Sequence, residues 1–186
     1  MEKKAVKEKI ILGLDPGTAV MGYGIILALG SSKLQLLQFG VIHLSKMETH
    51  ELRLKKIFDR VLALIDEFNP DEVALEAPFF GKNVQSMLKL GRAQGVAMSA
   101  ALHREIPITE YAPRKVKQSV TGNGNASKEQ VAKMLMQIFS IKEMPKLLDA
   151  SDALGVAVCH HYQNGTEKSK SKSWEGFLKE NPGRLK

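Results

Sequence analysis

The chain has 186 residues, of which 44% are hydrophobic and 25% are charged, and its formal net charge is +7 at pH 7. This length suits one domain with a substantial core. No apolar run reaches the ~18 residues of a membrane helix, and the single cysteine, Cys159, excludes an internal disulfide. The sequence therefore predicts a cytoplasmic protein without membrane contact.

The first half of the chain predicts four strands and one helix. Residues 9–14 form a continuous apolar run, which is typical of a strand buried on both faces. Strand-like runs follow at 21–29 and 33–44, with a polar break between them that favours a hairpin. Apolar residues at helical spacing predict an amphipathic helix over 50–68. Residues 73–77 predict another short buried strand.

The second half predicts three helices and a last strand. Residues 83–105 form a long helix rich in glycine and alanine, and 107–112 form the strand. A turn-rich segment then leads to Ser127, which begins a capping box for a helix to about residue 140. A final helix spans 147–162. The lysine- and serine-rich tail from 164 is expected to be mostly disordered.

The order of these elements predicts an α/β domain with a mixed sheet. The right-handed crossover rule places the fourth strand parallel to an earlier one. If that neighbour is the first strand, Asp15 and Glu76 emerge side by side at the carboxyl ends of two parallel strands. Open α/β sheets bind their ligands at such ends.

Four carboxylates are candidates for an all-oxygen metal site. Asp15 begins an Asp-Pro-Gly sequence, which is also common in turns. Glu76 is the one acid of an apolar run, and either a metal or a structural ion pair could compensate its charge. Asp149 and Asp152 share one helix face, which suits a helix start or a metal. Together the four would select Mg²⁺ or Mn²⁺ over Zn²⁺, and two such ions ~4 Å apart promote phosphodiester hydrolysis.

Histidines add little to this site. His160 and His161 are adjacent, so they point to different faces of a helix. At most one of them could approach the acids, and histidines at a helix end without a metal role are the preferred interpretation.

Basic residues concentrate in two stretches that contain no acid. The stretch from 77 to 104 includes Lys82, and the stretch from 111 to 128 includes Lys117 and Lys128. Such stretches favour a polyanionic partner, although an ordinary solvated surface is the alternative.

Several blocks of the sequence resemble, in the same order, the RuvC family of Holliday-junction resolvases over roughly residues 9–162. The blocks are Ile11–Thr18 with Gly22-Tyr-Gly24, Glu76–Asn83, Leu88–Val96, Val116-Lys-Gln118 with Gly122, Gly124, Ala126 and Lys128, and Asp149–Leu154.

The resemblance implies roles for particular residues. The metal-binding and catalytic carboxylates of the family fall on Asp15, Glu76, Asp149 and Asp152. Some members have a histidine in place of Asp149. The aromatic residue that contacts a DNA base falls on Phe79, and the lysines that contact the DNA backbone fall on Lys117 and Lys128. Lys82 is a further candidate for DNA binding.

The resemblance also implies a fold and a biological role. The implied fold is ribonuclease H-like, with three layers and a five-stranded mixed sheet between helices. We expect this nuclease domain over residues 1–164 and a basic tail over 165–186, although the first few residues and the tail fall outside the resemblance. The expected protein is a homodimer with two Mg²⁺ ions per subunit, for which Mn²⁺ substitutes. It nicks four-way DNA junctions symmetrically in recombination and repair, with a branch-migration motor complex of the RuvA and RuvB type.

Three other functions compete with this one. A ribonuclease H-like RNA-processing nuclease would use the same acids, but gives no reason for the Phe79 block. An actin- or sugar-kinase-like phosphotransferase shares the Asp-x-Gly-Thr turn at Asp15, but normally needs two such domains. A non-catalytic nucleic-acid-binding module explains the charge and leaves the four acids unexplained.

Overall fold

A computed structural model describes residues 8–30, 33–78, 83–141 and 148–165, within which five strands and five helices follow one another. In chain order they are β1 (Glu8–Asp15), β2 (Val20–Leu29), β3 (Lys33–His43), α1 (His50–Phe68), β4 (Glu72–Glu76), α2 (Val84–His103), β5 (Ile108–Tyr111), α3 (Pro113–Thr121), α4 (Lys128–Phe139) and α5 (Asp149–Gly165).

The five strands form one mixed sheet in the order β3-β2-β1-β4-β5. β1 pairs antiparallel with β2, and β4 lies parallel to both β1 and β5. The predicted ribonuclease H-like α/β fold is therefore confirmed. Leu14 pairs with Leu75, so the next residues on the two strands are Asp15 and Glu76. These two acids thus end neighbouring strands at the same edge of the sheet, as the sequence predicts.

Each face of the sheet packs against helices, because alternate residues of a strand point to opposite faces. On one face Leu12, Leu14 and Ile25 are buried together with residues of α1 and α2. On the other face Ile11 and Ile26 pack with residues of α4 and α5. β1 is apolar on both faces for this reason, and its continuous apolar run is explained by its central place in the sheet.

Helix α3 is not predicted by the sequence patterns. It has nine residues, and only Val116 and Val120 are buried, so it is too short to show a clear helical period. Its ends are marked by a proline in the first turn and by Gly122 in the left-handed conformation. Helix α4 begins with the predicted capping box of Ser127 and Gln130.

The last described helix, α5, ends at Gly165, close to the predicted end of the nuclease domain. Residues 166–186, which hold nearly all of the predicted tail, lie outside the described residues. Among the helices of the described ranges, none is long and apolar enough to cross a membrane.

Candidate active site

The structure brings the four predicted carboxylates to one end of the sheet. Asp15 is the last residue of β1, and Asp149 and Asp152 lie in the first turn of α5. One ligand atom from each of these three residues lies within 4.8 Å of the others. Glu76 ends β4 and lines a cavity together with Asp15.

Burial and the repulsion between neighbouring carboxylates raise the pKa values of three acids in this site. Burial, together with the nearby charges of Glu76 and Asp152, raises the pKa of Asp15 from its ordinary 3.8 to about 8. Burial and the charge of Asp152 raise the pKa of Glu76 to about 7, and burial also raises the pKa of Asp152. A cation among these groups would remove the repulsion. Four carboxylates without a nitrogen or sulfur donor match the preference of Mg²⁺ and Mn²⁺, so the residues fit such ions.

Two lysines lie beside the acids. The Lys128 ammonium donates a hydrogen bond to the Asp152 carboxylate, whose side chain is 13% exposed. Burial disfavours the lysine charge, but the bond to Asp152 raises the pKa of Lys128 overall. Lys117, on α3, is near enough that its charge opposes the rise in the pKa values of Glu76 and Asp152. Lys128 therefore contacts the acid cluster, and the charge of Lys117 acts on it.

A cavity of about 190 Å³ extends from the acids toward α2. Its wall includes Gln94, which is buried at 6% exposure and donates a hydrogen bond from its side-chain amide to Glu110 on β5. Gln94 is a buried polar residue that was not predicted to belong to the site. The sequence offers one indication of this role, because Gln94 is a polar residue on a helix face that otherwise consists of small residues. The lining consists of Asp15, Pro16, Glu76, Ala77, Pro78, Leu90 and Gln94.

Arg53 of α1 holds the turn that follows Asp15. Its guanidinium donates one hydrogen bond to the Thr18 carbonyl at 3.2 Å and another to the Met47 carbonyl at 3.3 Å. The chain after β1 is thus fixed to the start of α1. This contact also lies outside the sequence predictions, because it joins residues 35 positions apart.

His160 is buried away from the acids, near the other end of α5. Its ring nitrogens contact the Tyr111 hydroxyl at 3.0 Å and the Glu72 carboxylate at 2.5 Å. Glu72 begins β4, whereas Glu76 ends it. His161 is also buried, and its ring lies 5.6 Å from that of Tyr162. The preferred interpretation of this histidine pair, without a metal role, agrees with these positions.

Phe79 and Lys82 fall outside the described residues, so their expected contacts with DNA stay predictions. The described neighbours are Pro78, which is exposed, and Asn83, whose side chain caps the first turn of α2.

Comparisons with known proteins agree with this architecture. The family model described as crossover junction endodeoxyribonuclease RuvC matches residues 11–160. A curated relative of that name from Cytophaga hutchinsonii is 63% identical over 96% of this chain and 89% of its own length. Another of that name, from Porphyromonas gingivalis, is 56% identical over 97% of this chain and 98% of its own. The solved structure of T. thermophilus RuvC in complex with Holliday junction substrate has a TM-score of 0.79 at 34% identity, covering 84% of this chain and 95% of that one.

Proposed function

Because the chain belongs to the RuvC family, it is a crossover junction endodeoxyribonuclease that resolves Holliday junctions, and we propose that its four clustered carboxylates carry the hydrolysis. The single observation that supports this assignment of residues is the meeting of Asp15, Asp149 and Asp152 within 4.8 Å, beside Glu76. These acids come from three separate parts of the chain, namely the ends of β1 and β4 and the start of α5.

Each group of residues has its own role in this function. Asp15, Glu76, Asp149 and Asp152 would hold two Mg²⁺ ions, for which Mn²⁺ would substitute. Bound there, the ions would supply positive charge to the scissile phosphate and to the oxygens that enter and leave it. Lys128 and Lys117 would bind the DNA phosphates next to the acids, since their charged ends lie at the same edge of the sheet. Lys82 and Phe79 would extend this surface, with Phe79 stacking on an unpaired base of the junction.

We propose a homodimer formed through α2. Apolar and small residues recur on its exposed face at alternating spacings of four and three, a pattern typical of helices that pair. Val84, Leu88 and Leu102 are 69%, 51% and 59% exposed. A side chain built at Gly91 or Gly95 would meet no atom within 4 Å. A second copy of the chain would cover this face, and its two-fold symmetry would present two active sites to the two equivalent strands of a junction.

The wider setting of the proposal follows from the family. The enzyme would act in the cytoplasm on junctions delivered by a branch-migration motor of the RuvA and RuvB type. Independently of the family, we propose residues 1–164 as the nuclease domain, and removal of residues 168–186 from the basic tail should weaken junction resolution far less than loss of Lys117 or Lys128.

Cleavage of a synthetic four-way junction tests the proposal. Purified protein is incubated with Mg²⁺ and the junction, and in parallel with a linear duplex and a structured RNA of matched length. We expect symmetric nicks in the junction alone, and none after chelation of the metal. Preferential cleavage of the RNA would support an RNA-processing nuclease instead.

A further inference from the structure

Helix α5 rests directly on three glycines of β1 and β2, which we call the glycine seat: Gly13, Gly22 and Gly24. A Cβ atom built on Gly22 would lie 2.6 Å from the carbonyl carbon of Asp149. One built on Gly24 would lie 2.6 Å from Cα of Leu154, and one on Gly13 would lie 2.7 Å from the Ala157 amide nitrogen. Real Cβ atoms essentially never approach other atoms within 3.0 Å, so α5 could not lie this close to strands with larger residues.

The glycine seat is part of the acid cluster as well as of the core. Gly22 is the residue of β2 that pairs with Asp15 of β1. The backbone of Asp149 lies directly on Gly22, and the same first turn of α5 carries Asp152. The height of α5 above the sheet therefore fixes the separation between Asp15 and the two acids of the helix. Glu76 lies on β4 and does not depend on this contact.

We infer that Gly22 is a positioning residue for the metal site, an inference that rests on the function proposed above. Mg²⁺ requires oxygen ligands at about 2.0–2.1 Å in nearly ideal octahedral geometry. Ligands must be held within about 0.5 Å for such a site to work. An alanine at position 22 would collide first with the Asp149 carbonyl oxygen, which lies nearer than the carbonyl carbon, and would have to push this backbone away by more than about 1 Å to reach the 3.4 Å of ordinary contact. That displacement exceeds the tolerance, and it separates the helix acids from Asp15.

Mn²⁺ binding without DNA tests the inference directly. The protein is titrated with Mn²⁺ by calorimetry, and its thermal stability is measured in the same buffer. We expect Gly22→Ala to bind Mn²⁺ at least about tenfold more weakly, as displaced ligand support does at other metal sites. The matched control is Gly40→Ala in β3, where the three atoms nearest to the new Cβ would all belong to Tyr23, with its hydroxyl at 2.8 Å. That variant should lose stability and keep the wild-type affinity for Mn²⁺.

The outcomes separate the inference from the proposed function. Absence of Mn²⁺ binding by the wild-type protein would refute the proposed metal site itself. Wild-type binding together with equal binding by folded Gly22→Ala would overturn the role of the glycine seat. If Gly22→Ala does not fold, Gly24→Ala decides. Its Cβ would first meet Cα of Leu154 at 2.6 Å, which is farther than the Asp149 carbonyl oxygen lies from a Cβ at Gly22, so it would displace α5 by less. It should bind Mn²⁺ more weakly than Gly40→Ala, and wild-type affinity in that variant would overturn the inference equally.

Discussion

Replacing Asp15 by asparagine should abolish cleavage and yet stabilise the metal-free protein. Asparagine keeps the shape of the side chain but carries no charge. In the folded chain, burial and the charges of Glu76 and Asp152 raise the pKa of Asp15 to about 8. The unfolded chain ionises the same group near pH 3.8. Between these values the folded state binds the proton and the unfolded state does not, so the free energy of unfolding falls as the pH rises.

The size of the gain follows from this difference. Each pKa unit corresponds to 1.36 kcal/mol, and pH 7 lies about three units above the ordinary pKa of Asp15, which gives an upper limit of ~4 kcal/mol at that pH. Asp15 is only partly buried, so solvent screens part of the charge. We therefore expect Asp15→Asn to raise the free energy of unfolding by ~1–3 kcal/mol at pH 7 to 8 without metal, and by much less at pH 5.

Urea denaturation in EDTA at pH 5 and pH 8 measures this gain. Added Mg²⁺ should stabilise the wild-type protein and leave Asp15→Asn almost unchanged. Asp66→Asn is a control in which the free energy of unfolding should change in the opposite direction. The hydrogen bonds from Arg104 lower the pKa of Asp66, and this exposed acid is ionised at both pH values. A variant at Asp15 that is less stable than wild type at pH 8, or equally changed at both pH values, would refute the reasoning.

Three further predictions concern DNA and the dimer. Lys117→Ala and Lys128→Ala should each reduce the slope of log affinity against log salt by about one unit in a junction-binding titration, and an unchanged slope would mean that neither lysine contacts a phosphate. Phe79→Ala should keep the wild-type melting temperature but cleave junctions poorly in a single-turnover assay, and Phe79→Trp should retain most activity; normal cleavage by the alanine variant would refute stacking. Leu88→Glu, on the exposed face of α2, should convert a dimer to a monomer in light scattering at micromolar concentration, whereas a dimer that persists would place the interface elsewhere.

The sequence predicts the elements with strong local patterns. β1 was predictable because both of its faces are buried, and the start of α4 because its capping box is local. Asp15 and Glu76 were predictable as neighbours because the crossover rule allows β4 to lie beside and parallel to β1, as the sheet shows. Helix α3 was not predictable, since only two buried valines mark nine residues.

These local patterns could not predict contacts between distant parts of the chain. Gln94 belongs to the cavity only because α2 crosses β5 at Glu110. The importance of Gly22 becomes evident only when α5 lies across the hairpin of β1 and β2. A glycine in a strand indicates a close approach of some backbone, but the sequence does not say which segment approaches.

The order of the ligands along the chain has a consequence for the synthesis of this enzyme. The acids lie at positions 15, 76, 149 and 152, and the last two belong to the final described helix. A nascent chain in which α5 is still inside the ribosome can bring together only two of the four carboxylates. The strand glycines on which α5 packs are then uncovered. If the four acids act together as proposed, the chain would be unable to cut DNA until α5 has been made and has docked on the sheet.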